Sequence, residues 1–180
     1  MAKIITVGAA IQDVFLSQSD ALTPVCESPE HCFARLDLGA KADVNQIHFS
    51  TGGGATNAAV TFSRQGHYAS FMGAIGHDPA GQAVIADLDK ENIDTHLVRY
   101  SPKYSTGYSV LLLASNGERT ILTYRGASTH YHEADFDLSE EDADWLYVST
   151  LAGNMPMLHK LFQQAKHRDM KICFNPGKKE

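Results

Sequence analysis

Asp13 and the segment Gly52-Gly53-Gly54-Ala55-Thr56-Asn57 carry the residue types in this sequence best suited to holding hydroxyl groups. An ionised aspartate can accept two hydroxyl protons at once, and an asparagine amide donates and accepts together. Adjacent glycines let backbone amides approach a ligand closely. Taken singly, each has a plain structural explanation: the glycines as a tight turn, Asn57 as a first-turn polar residue, Asp13 as a solvated loop carboxylate. Their common placement just after strands favours the chemical reading, because ligands of open α/β sheets bind outside the carboxyl ends of the strands.

That placement follows from the pattern of elements. Residues 3–9 are a short apolar, β-branched run that reads as a buried first strand, with Asp13 just past its carboxyl end. Residues 46–50 alternate like a strand, the glycines turn the chain, and the alanine-rich residues 55–64 predict a helix ending at Gly66. A strand over 69–74 follows. Asp78-Pro79 then supplies an N-cap and a first-turn proline for a helix over 80–91, and 97–100 reads as a further strand. Asn116-Gly117 between the strand-like runs 107–114 and 119–124 predicts an antiparallel ribbon. Residues 145–149, 155–168 and 171–174 read as strand, helix and strand, the unit of a parallel α/β sheet. Residues 17–43, polar and proline-bearing, read as an excursion from the core.

A length of 180 residues with 43% hydrophobic content suits one globular domain and excludes disordered and fibrous classes. The formal charge of −6 argues against a surface built for nucleic acid or anionic lipid, and no window approaches the roughly 20 apolar residues of a membrane helix. Cys26, Cys32 and Cys173 are too widely spaced and odd in number for a secreted disulfide scaffold. Cys26, His31 and Cys32 lack a fourth ligand at zinc-finger spacing, so free thiols in a loop are expected, in a reducing cytoplasm. His130, His132, Glu133 and Asp135 read as a polar solvated loop, and no metal site is expected. Gly73-Ala74-Ile75-Gly76 lacks the complete dinucleotide-binding fingerprint, and Asp78 is explained as an N-cap.

The segment GGGATNAAVTFSRQG, Gly52 to Gly66, resembles the first signature of the ribokinase-like (PfkB-type) carbohydrate kinase family: two glycines, three spacers, asparagine, then an alanine-rich helix. Val7-Gly8 with Asp13, GAIGHDPAG from Gly73 to Gly81, Thr106-Gly107, Asn116 to Thr120 and Gly126-Ala127 follow in the family's order. Two positions depart from it, Gln65 before Gly66 and Ser128 after Ala127.

The resemblance implies an α/β, ribokinase-like three-layer fold with a mostly parallel central sheet and a small β lid. Residues 1–180 would be the N-terminal part of one such domain, with lid segments at about 15–50 and 104–125. It implies that Asp13 and Asn57 hold substrate hydroxyls, that Gly52 and Gly53 offer backbone contacts, and that Thr51, Thr106, Gly107, Tyr108 and Tyr124 belong to the lid. It further implies a kinase that uses ATP and Mg2+ to phosphorylate a hydroxyl of a sugar or nucleoside, and a homodimer formed through the lid.

The family's second signature, a glycine-rich Asp-x-x-Gly-Ala-Gly-Asp stretch, does not occur in the sequence, nor does its Asn-x-x-Glu motif; Glu180 is not that glutamate. The first stretch carries the general base and the helix N-terminus that stabilises the transferring phosphoryl group. This chain alone is therefore expected to bind substrate without catalysing transfer, and its ending in a loop just past a strand reads as an incomplete sheet. The rival reading is a non-catalytic sugar-binding or dimerising module built on the same fold.

Overall fold

Among the described residues, strands and α-helices follow in the order β1 (Lys3–Val7), β2 (Ile11–Ser17), β3 (Val25–Ser28), β4 (His31–Phe33), β5 (Gln46–Gly52), α1 (Gly54–Arg64), β6 (Tyr68–Met72), β7 (Ala74–Gly76), α2 (Pro79–Lys90), β8 (Arg99–Ser101), β9 (Gly107–Leu113), β10 (Arg119–Tyr124), β11 (Trp145–Val148), α3 (Met155–His167) and β12 (Lys171–Phe174). The computed structural model describes residues 1–28 and 31–178; Glu180 lies outside them. The elements fall into two compact units. One comprises Met1–Gln12, Thr51–Gly107 and Arg125–Glu180, the other Asp13–Ser50 and Tyr108–Tyr124.

In the first unit β12, β11, β1 and β6 form a parallel sheet in that order. Four of the five β1 residues are buried, as a strand covered on both faces requires. Strand side chains alternate between faces. Phe71 accordingly packs with Ala55 and Ala59 of α1 and Val84 and Leu88 of α2. Met72, the next residue, joins Ile5, Val7, Leu146 and Val148 against Met157, Leu161 and Ala165 of α3. Two separate cores on the two faces of one sheet make a three-layer α/β arrangement. Among the described residues no helix is long and apolar enough to cross a membrane.

The start of α2 ties the middle of this unit together. Asp78 caps it by accepting the Gly81 N–H at 2.8 Å, and it also accepts the backbone N–H and hydroxyl of Thr106 at 2.8 and 2.7 Å. The Thr106 oxygen in turn accepts the Gly76 N–H at 2.9 Å. Burial pushes the Asp78 carboxyl up, but the hydrogen bonds from Gly81 and Thr106 outweigh it and hold the group below the usual carboxylate range. A depressed folded pKa stabilises above the unfolded value of about 3.9, and that contribution is lost as pH falls through the folded value. Asp78→Ala removes three acceptor contacts and strands a buried hydroxyl. We expect a loss of about 3 kcal/mol, read as a fall of roughly 6–12 °C in Tm at pH 7 that shrinks in scans below pH 4. An unchanged Tm at pH 7 would show that the network contributes nothing.

In the second unit the strand order is β10-β9-β2-β5. β9 and β10 pair antiparallel from Tyr108↔Tyr124 to Leu113↔Arg119, and Gly117, at φ +88°, turns the ribbon. Two features depart from the sequence expectation. Asp13 does lie past the carboxyl end of β1, but inside a further strand, β2, whose alternation is disguised by Gln12, a polar residue that is nevertheless buried. Cys26 and Cys32 are not free thiols. β3 and β4 pair antiparallel within the presumed loop, bringing Cys26 opposite Cys32 with Cα atoms 4.0 Å apart, and the two form a disulfide. The expectation failed because a chain read as irregular has no register to oppose two cysteines six residues apart. Cys173 remains a free, exposed thiol.

Candidate functional site

The glycine turn is built by packing before any ligand is considered. Gly53, at φ +112°, is the N-cap of α1, and a Cβ there would lie 2.2 Å from the Ala9 carbonyl oxygen. A Cβ on Gly54 would lie 2.1 Å from the hydroxyl oxygen of Ser149, which is only 3% exposed just past the carboxyl end of β11. Buried Thr56 fixes the turn from within, donating its hydroxyl to the carbonyls of Gly52 and Gly53 at 2.7 and 3.1 Å. Gly53 has no side chain with which to cap the first amides of α1, which at a helix start point outward unpaired by the helix itself. Asn57 follows in the first turn, its backbone N–H bonded to the Gly53 carbonyl and its side chain exposed. One unit thus contains Gly52, Gly53 and Asn57 together at one strand-to-helix turn.

Asp13 belongs to the other unit. Its side chain is half-buried on β2, and burial pushes the carboxyl up while a hydrogen bond from the Ser109 hydroxyl draws it back. An ionised carboxylate offers about four lone-pair sites. Such sites are suited to accepting incoming hydroxyl protons.

The residues assigned to the lid divide. Tyr108 and Tyr124 face each other across the β9–β10 ribbon, with Tyr124 53% exposed. Thr51, Thr106 and Gly107 belong to the first unit. The Thr51 hydroxyl donates to Asp87 at 2.8 Å, and Thr106 is 2% exposed with its hydroxyl committed to Asp78 and Gly76. Gly107 is buried, with a Cβ position 3.0 Å from the Arg125 carbonyl oxygen. Sequence reasoning missed Ser109, Thr56 and Ser149. Serine and threonine inside apolar runs carry no periodic signal, and only strand register reveals what they touch.

Among the described residues no group of three or more His, Cys, Asp or Glu side chains is arranged to hold a metal ion. His130 stacks on Tyr104 with ring centroids 3.6 Å apart, and the backbone N–H of His132 bonds Asp135. A cleft of about 650 Å3 in the second unit, lined by Phe33, Leu36, Leu112, Arg119 and Leu122, contains none of the predicted site residues.

The chain resembles known proteins along most of its length. The family model described as pfkB family carbohydrate kinase matches residues 3–178. The chain is 31% identical over 112 residues to a probable chloroplastic fructokinase-6 of Arabidopsis thaliana, covering 60% of this chain and 29% of that protein. It is 28% identical over 131 residues to a fructokinase of Vibrio alginolyticus, covering 70% of this chain and 43% of that protein. The crystal structure of a ribokinase from Cryptococcus neoformans var. grubii serotype A in complex with ADP superposes with a TM-score of 0.71 at 21% identity, covering 98% of this chain and 50% of that one. The chain thus spans half or less of the length of these relatives.

Proposed function

The chain belongs to the pfkB family of carbohydrate kinases, and from that premise we propose that it is the substrate-binding portion of an ATP-dependent sugar or nucleoside kinase. The observation that carries the proposal is the Asp13 carboxylate, half-buried on β2 with burial pushing its carboxyl up. Such a group gains from hydroxyl donors of the kind a polyol supplies. In this reading Asp13 takes two neighbouring hydroxyls, Asn57 takes a further one, and the backbone at Gly52 and Gly53 contacts the sugar. Tyr108 and Tyr124 lie in the lid. In the complete enzyme the γ-phosphate of ATP, with Mg2+, passes to a substrate hydroxyl. The glycine-rich stretch that handles phosphate does not occur in these 180 residues, so no step of transfer is assigned to them.

Calorimetric titration of the chain with D-fructose, D-ribose and adenosine tests the proposal. Saturable binding of one of them, without ATP consumption by this chain, is expected. No saturation by any of the three at tens of millimolar would overturn it.

A second reading, a non-catalytic sugar-binding or dimerising module, is favoured by the exposed Ile47 and Phe49 on β5 and Ile121 and Leu122 on β10. Edge strands bearing large apolar side chains suit pairing with a second copy. Sedimentation of the chain as a dimer, with no sugar bound, supports that reading over the first.

A further inference from the structure

The β3–β4 hairpin forms a sheet of its own in the second unit. Among the described residues its strands pair only with each other, through Val25↔Phe33, Cys26↔Cys32 and Ser28↔His31. Every residue of β3 is exposed, as are His31 and Cys32, and only Phe33 is half-buried. A two-stranded hairpin alone is marginally stable in water, so strand pairing by itself does not hold this one closed. Its side-chain contacts add little: the Glu27 carboxylate lies 3.3 Å from the His31 imidazole and the Arg35 guanidinium 4.9 Å from the Phe33 ring centre, both at the surface. The strong link across the hairpin is the Cys26–Cys32 disulfide.

The hairpin is also a wall. Cys32 and Phe33 line the cleft of about 650 Å3 in this unit, together with Leu36 from the chain that follows and Leu112 and Leu122 of the β9–β10 ribbon. Whatever loosens the hairpin therefore alters the cleft. Both cysteines are exposed, which leaves the bridge open to thiolate attack, and exposed disulfides are the labile ones. They stand six residues apart in sequence. A loop so short restrains the unfolded chain least, so breaking it acts on the hairpin and not on the fold as a whole.

We propose that the Cys26–Cys32 pair is a thiol–disulfide exchange site for a dithiol reductant, and that its reduction releases the β3–β4 wall of the cleft. One thiolate of the dithiol attacks a sulfur of the pair, forming a mixed disulfide and freeing the other cysteine, which takes up a proton. The second thiolate of the dithiol then displaces the remaining cysteine. Two electrons and two protons pass to Cys26 and Cys32, and the dithiol leaves as a disulfide. Cys173, on β12 of the first unit, takes no part. The site is independent of Asp13 and of the sugar-binding reading.

Dithiothreitol is the probe. The intact chain is equilibrated in graded mixtures of its oxidised and reduced forms, quenched with iodoacetamide and read by peptide mass spectrometry. Cys26 and Cys32 become alkylated together as the reduced fraction rises, while exposed Cys173 is alkylated in every mixture. Across the same series trypsin cleavage of the native chain after Arg35 accelerates about tenfold, because cleavage follows the population of the opened segment. Amide exchange in β3 and β4 quickens, and that in β1 and β11 does not. Cys26→Ser, which cannot form the bridge, is cleaved fast at both extremes and does not respond to the dithiol. Alkylation of Cys26 and Cys32 in the fully oxidised mixture overturns the proposal, and so does their protection in the fully reduced one. Full reduction with both cleavage and β3–β4 exchange unchanged overturns the release of the wall. Should Cys26→Ser fail to fold, the wild-type series decides by itself.

Discussion

Asp13→Asn weakens sugar binding by about a hundredfold or more and leaves Tm unchanged or slightly raised. The amide keeps one acceptor oxygen but loses the charge and one acceptor site, and a hydrogen bond to a charged group contributes about 1.5–3 kcal/mol. Two such contacts to neighbouring hydroxyls, one removed and one weakened, amount to about 3 kcal/mol, slightly over a hundredfold in affinity. Stability moves the other way. Burial raises the Asp13 carboxyl, and the Ser109 hydroxyl offsets this only in part. A raised folded pKa stabilises fully below the unfolded value of about 3.9, and that contribution is lost as pH rises through the folded value. At pH 7 the ionised group is therefore a net burden on the fold, which asparagine relieves. The Tm difference between variant and wild type should be widest near pH 7 and close below pH 4. Calorimetric titration gives the affinity and thermal scans at the two pH values give the stability. A fall in Tm of several degrees at pH 7 would make Asp13 a structural residue and remove the argument for its role.

The legible part of this protein was its periodic part. The β-branched run of β1, the alanine-rich α1, the Asp78-Pro79 start of α2 and the Asn-Gly turn between β9 and β10 each carry a local signal strong enough to survive without tertiary context. Their structural boundaries agree with the sequence reading to within a few residues. What stayed hidden depended on partners far along the chain. β2 was missed because Gln12 and Asp13 break an apolar alternation, although Gln12 is buried. The disulfide was missed because only the β3–β4 register opposes Cys26 and Cys32. Thr106 reads from sequence as a lid residue, yet its hydroxyl is spent between Asp78 and Gly76, a pairing that spans 28 and 30 residues of chain. Ser109 had no sequence signal at all. Its meaning comes from standing between β2 and β10.

Gly53→Ala is expected to lower stability by about 2–6 kcal/mol, and the reason bears on how the glycine turn should be read. Two independent penalties meet at this position. The backbone holds φ +112°, where an L side chain is strained by about 1–3 kcal/mol. The added methyl would also stand 2.2 Å from the Ala9 carbonyl oxygen and 3.1 Å from the Ala10 Cα, backbone atoms of buried residues that no rotamer change can move. Relief requires shifting either the segment after β1 or the start of α1, at an overpacking cost of about 1–3 kcal/mol. For a chain of this size the sum lowers Tm by roughly 4–24 °C. Gly66→Ala is the control. It shares a left-handed backbone, φ +84°, but nothing lies within 4 Å of its Cβ position, so only the conformational penalty applies and the fall should be about half of that at Gly53. Equal losses at the two sites would mean that backbone strain alone dominates and that the close approach to Ala9 is absent in solution. The expected inequality has a functional corollary. Because packing already demands glycine at position 53, loss of sugar binding in Gly53→Ala cannot by itself demonstrate a backbone contact to the ligand. That contact must be measured where the fold is unperturbed, by sugar-induced shifts of the amide signals of Gly52 and Gly53 in the wild-type chain, which the proposed site requires and a purely structural turn would not produce.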